Sequence, residues 1–125
     1  QMLKPPDKTM YEYIFDTLDG IFEYRAAVEY KSNSKTGTLP DRFCVFYLVS
    51  SAPEAFYSGS YSRENGRYSI CIYDRDKRGI DENEAPVKAA MKAAGFLYVT
   101  KSRDNYVKES GHWQRTYDFR YYEEV

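Results

Sequence analysis

Histidine is almost missing from this chain: His112 is the only one. Between Gly111 and Trp113, at the start of an expected strand, it has the chemistry of a general base. No spacing supplies the nucleophile or acid partner that role needs, so a structural or exposed histidine is the preferred reading. Cysteine is scarce too. Cys44 and Cys71 each sit in a dense apolar run, without CxxC spacing or a companion histidine, which makes them poor zinc ligands. Each is expected to behave as a small buried hydrophobe. A disulfide between them needs only neighbouring strands, but nothing else points to an oxidising compartment. Long hydrophobic runs are lacking. Phe43 to Val49 is the longest, far short of the roughly 20 residues of a membrane helix. No stretch reads as a signal peptide, and a soluble cytoplasmic product is expected. Charge of one sign is not in excess: 18 basic and 19 acidic residues leave a net −1. That balance argues against a general polyanion binder. Hydrolase, metalloprotease, phosphate-loop and dinucleotide motifs are all missing.

Aromatic side chains are plentiful, with fourteen tyrosines and seven phenylalanines. Tyrosine packs its ring and keeps a polar tip, which suits half-buried sheets and subunit contacts. A stacking platform for bases is the rival use, disfavoured by the missing positive charge. Tyr68 to Tyr73 also lacks the glycines and basic flank of an RNA-binding strand.

Gln1 to Pro6 reads as a flexible arm, with Pro5-Pro6 extended. Asp7 or Thr9 caps a first helix reaching about Asp19, with Met10, Ile14, Leu18 and Ile21 at helical spacing. Phe22 to Tyr30 alternates with period two and reads as a strand, a continuing helix being the rival. Residues 31–41 form a polar, mobile loop, either a slack connector or an arm that orders on a partner. Arg42 to Ser50 is apolar on both faces, so it is expected to lie centrally, between a helix layer and a subunit neighbour. Tyr61 to Asp74 is the third strand, with Glu64-Asn65-Gly66 as a bulge or turn. Arg75, Lys77 and Arg78, interrupted by acids, read as a solvated turn. Asp81 or Asn83 caps a second helix ending at Ala94, with Pro86 in its first turn and Gly95 just past its end. Asp81, Glu82 and Glu84 resemble a metal cluster in isolation, but a helix start accounts for them. Phe96 to Thr100 and a short Tyr106–Lys108 edge follow. In the last strand, Trp113 to Tyr122, residues Trp113, Arg115, Tyr117, Phe119 and Tyr121 share one face. The expected fold is a single α+β domain, α-β-β-β-α-β-β. It is a mainly antiparallel sheet of about five strands with both helices on one face.

Five segments, in order, carry a family likeness. They are Leu39-Pro40 leading into Phe43–Tyr47; Ser51-Ala52-Pro53-Glu54-Ala55-Phe56; Arg67–Tyr73; Val87 through Ala94-Gly95-Phe96; and His112–Arg115 through Tyr121. Together they span about 85 residues. In this the chain resembles the tail-terminator (tail-completion) proteins of long-tailed bacteriophages and prophages, often labelled minor capsid or head–tail joining proteins. It departs from them in Tyr57–Tyr61, which is not acidic, and in a longer segment before Leu39. The resemblance implies a virion protein, made in the host cytoplasm, that forms a ring, usually a hexamer, on the last ring of the tail tube. The ring stops tube growth and meets the head–tail connector. DNA passes through it, nothing is catalysed, and no cofactor, metal or membrane is involved. Such a ring needs two different patches on each copy. The residues expected to contact another subunit or tail partner are Ser34, Lys35, Thr36, Tyr57, Tyr61, Arg75, Arg78, Tyr121 and Tyr122. A head-completion protein is one alternative. A module binding nucleic acid or a peptide strand on an aromatic sheet face is the other.

Overall fold

The structure, a computed structural model, describes residues 3–29, 38–55 and 61–124. Helix α1 (Met10–Thr17) starts at a capping box: the Thr9 hydroxyl accepts from the Glu12 amide at 3.2 Å, and the Glu12 carboxylate accepts from the Thr9 amide at 2.9 Å. Tyr13, Ile14 and Leu18 are buried. The helix ends two residues earlier than expected, and Gly20 turns the chain with φ +90°.

Strand β1 is only Arg25–Ala27 and pairs parallel with β2 (Arg42–Ala55). The expected strand over 22–30 therefore survives only at its centre. It stops where Val28 adopts φ 69°, with the Glu29 amide donating to the Ala27 carbonyl at 2.8 Å. That is a γ-turn on a β-branched residue, an unfavourable conformation. The sheet is mainly antiparallel as expected, but mixed through this one pairing; a parallel pair needs a connection longer than a hairpin turn, and residues 28–41 separate the two strands.

From β2 onward every pairing is antiparallel. β2 pairs with β3 (Tyr61–Asp74), β3 with β6 (His112–Glu124), and β6 with both β4 (Leu97–Lys101) and β5 (Asn105–Val107). The order is β1-β2-β3-β6-β4, with β5 also beside β6. β2 runs past its expected end, with a register shift between Leu48 and Ser50. Glu64-Asn65-Gly66 is continuous strand rather than a turn; Gly66 leaves room for the Tyr68 ring.

Helix α2 (Lys77–Ala93) begins four residues before Asp81. Its cap is Asp76, whose carboxylate accepts from the Arg78 amide at 3.0 Å. The early start depends on Gly79, where a Cβ would collide with the Asp74 carboxylate. Pro86 consequently lies in the helix interior, not the first turn, and offers no N–H to the carbonyl one turn earlier. The end is as expected. Gly95 (φ +96°) donates to Lys92 and Phe96 donates to Met91, closing a Schellman motif.

The register lines up Phe46, Ile70 and Tyr117 in one row and Cys44, Ile72 and Arg115 in the next. All point to the face that both helices cover, where Ile14, Leu18, Ile80, Val87 and Met91 complete the core. On the opposite face Phe43, Val45 and Cys71 are also buried. Cys44 and Cys71 are both free thiols, and burial pushes Cys44 up to about 12.

Candidate functional site

Arg115 is the most heavily bonded side chain on the helix-covered face. The strand alternation places it inward, 7% exposed, beside the start of α2 and the β4–β5 connection. Its guanidinium donates to Asp104 through Nε (2.5 Å) and Nη2 (2.8 Å), to Asp81 (2.7 Å) and to Glu84 (3.0 Å). Lys101 and Lys88 also reach Glu84, at 2.8 and 3.3 Å. The Lys101 bond, with Lys88 behind it, holds the Glu84 carboxyl down to about 2. Asp104 is lowered chiefly by its bond to Arg115, and burial raises Tyr117 to about 12. Three carboxylates face three cations, and every charge is answered. The cluster ties α2 and the β4–β5 connection to β6. It also corrects the reading of Asp81 and Glu84 as products of a helix start, since their role is to pair with Arg115 and the lysines. Only the burial of Arg115 on an apolar stripe hinted at this in the sequence.

His112 is fully buried, with Nε2 2.7 Å from the Pro40 carbonyl and its ring edge-on to Phe43 and Tyr73. A carbonyl only accepts, so Nε2 carries a proton; among the described residues Nδ1 has no hydrogen-bond partner. The side chain pins residues 38–41 against the sheet. Arg75 also holds this segment, donating to Asp41, the Leu39 carbonyl and the Ser110 carbonyl. Beside them lies a cavity of about 370 Å³, lined by Phe43, Val45, Tyr47, Tyr73 and Gln114 among others. Among the described residues no group of three His, Cys, Asp or Glu is placed to hold a metal.

No protein-family model matches the chain, and no curated protein sequence matches it.

The expected contact residues divide. Ser34, Lys35, Thr36 and Tyr57 lie outside the described residues, and Tyr61 is described only as part of β3. Arg78 is exposed beside Asp76, and Tyr122 is half-buried. Arg75 is committed to the clamp just described. Tyr121 is corrected: its ring is 5% exposed, packed on Phe96 at 4.8 Å, and its hydroxyl accepts from the Lys4 amide. Strand alternation turns it into the core, away from any partner.

The exposed large apolar side chains are elsewhere, and they cluster. Tyr24, Val28, Tyr47, Leu48 and Val49 lie along the β1–β2 edge of the sheet. Leu97, Tyr98, Val99 and Tyr106 lie along the β4–β5 edge. Beyond them, among the described residues, only Leu3 and Phe15 belong to this class. β1 pairs with just Cys44–Phe46, so among the described residues no strand covers β2 from Tyr47 onward. At Leu48 the amide donates instead to the Tyr11 hydroxyl at 3.0 Å. Every residue of β4 is exposed. Of these residues the sequence placed only Tyr106 at an edge, because an edge is defined by which strand lacks a neighbour.

Proposed function

We propose that this chain is a structural subunit of a bacteriophage or prophage tail, a terminator whose copies form a ring on the tail tube and meet the head–tail connector. The observation that carries the reading is the pair of unlike, apolar sheet edges. Soluble monomers seldom leave such edges bare, because they template pairing with another chain. Two different patches on one subunit give a head-to-tail contact, and a head-to-tail contact that closes makes a ring. The resemblance in segment order supplies the tail assignment. The answered charges around Arg115 and the buried, clamped His112 fit a role in holding the fold rather than in turnover.

Light scattering after size exclusion tests the reading, from dilute to concentrated protein. A mass ladder rising toward a closed multiple of 14.7 kDa is expected. A monomer at every concentration that stays monomeric with tube subunits present overturns it. The same edges favour a second reading, a module that takes up a peptide strand. It predicts capture of an extended peptide by a chain that never self-associates.

A further inference from the structure

The geometry points to a specific self-contact: the β4 edge of one copy adds antiparallel to the β2 edge of the next, at Tyr47 to Val49. This names the interface of the ring proposed above and rests on that reading. Strand direction permits it. β2 is antiparallel to β3, β3 to β6 and β6 to β4, so β4 runs opposite to β2. A second copy continuing the sheet with the same face up therefore brings its β4 antiparallel to β2. Its Leu97 to Val99 then meets Tyr47 to Val49, joining the two apolar strips. The Tyr11 hydroxyl on the Leu48 amide stands in for the carbonyl that the arriving strand provides.

Charge selects the same partner. With the sheets continuous and the helix faces aligned, α2 of the arriving copy lies beside α1. Residues 7–25, which contain α1, carry five carboxylates against two cations. Residues 88–104, the end of α2 with β4, carry four cations against one carboxylate. Lys88 and Lys101 already bridge Glu84, while Lys92 and Arg103 are exposed. A recess of about 360 Å³ between α1 and β1, lined by Lys8, Tyr11, Glu12, Phe15 and Asp16, opens on this side; Lys8 already pairs with Asp16, which among the described residues leaves Glu12 as its acid without a salt bridge, toward an incoming cation. It suits the stem and head of an incoming lysine. Like edges would bring acid to acid or base to base, so β2–β2 and β4–β4 contacts are disfavoured.

Mixing of two edge variants tests the contact. One carries Leu97→Lys and Val99→Lys, the other Leu48→Lys and Val49→Lys; all four positions are exposed, and a thermal melt checks each fold. The wild type is expected to gain mass with concentration, and each variant to stay monomeric. An equimolar mixture is expected to give a dimer and nothing larger, because each variant keeps one sound, complementary edge. Either variant assembling like the wild type, or a mixture that stays monomeric, overturns the pairing and leaves the ring reading standing. A wild type that is monomeric up to its solubility limit also overturns the pairing, and the tube-subunit experiment then decides the ring. A second pair of variants serves if a lysine pair unfolds. Lys92→Glu with Arg103→Glu is expected to weaken association about tenfold, and Glu23→Lys in the other copy to recover part of it. No change with either overturns the charge argument and the contact with it.

Discussion

Replacing Arg115 with methionine should destabilise the protein by about 3 kcal/mol. Methionine preserves the apolar stem on the β6 stripe and removes every donor. Breaking a buried ion pair from one side typically costs about 3–5 kcal/mol, because the other charge is left buried and unanswered. The side chains of Asp104 and Glu84 keep 19% and 25% exposure, and Glu84 retains two lysines, so the low end applies. Asp81, with a side chain 62% exposed, contributes little. With a urea slope of about 1.5 kcal/mol/M for a chain of this size, the midpoint should fall by about 2 M. The slope itself should not change. The mechanism makes a second demand. Asp104→Asn added to Arg115→Met removes the orphaned charge, so the double variant should be more stable than Arg115→Met alone. A midpoint shift under about 0.5 M for Arg115→Met, or a double variant less stable than the single, would show that no buried charge is orphaned.

Acid should weaken the fold in a defined window. The folded-state Glu84 carboxyl is held near 2 against an ordinary 4.5, so the unfolded chain binds more protons between those values. Stability from Glu84 is complete above about 4.5 and disappears as pH falls toward 2; urea midpoints across that range should decline in the wild type and decline less in Glu84→Gln. Gly95→Ala forces a Cβ into φ +96° and should cost about 1 kcal/mol, read from thermal melts. Val28→Gly should raise stability by about 1 kcal/mol, because the released strain at φ 69° exceeds the added freedom of the unfolded chain; a lower melting temperature than wild type would contradict this.

Local chemistry alone was enough for several elements. The β-branched and aromatic run of Tyr61–Asp74 reads as a strand with the observed limits, and the alternation in β6 correctly puts Arg115, Tyr117, Phe119 and Tyr121 on one side. Thr9, one of the two caps the sequence offers for α1, and Gly95 past the end of α2 mark helix ends because capping is settled within a few residues. That much established the α+β class and the shared helix face. Tertiary structure decided the rest. β1 runs parallel to β2, and no period-two pattern encodes a strand's direction. The early start of α2 depends on Gly79 meeting Asp74, and the partners of Arg115 come from positions 81, 84 and 104. Tyr121, expected at a contact, was claimed by Phe96 and Lys4. The two edges that no described strand covers are the most long-range feature of all: a strand's sequence carries its propensity and its faces, but not whether another strand stands beside it.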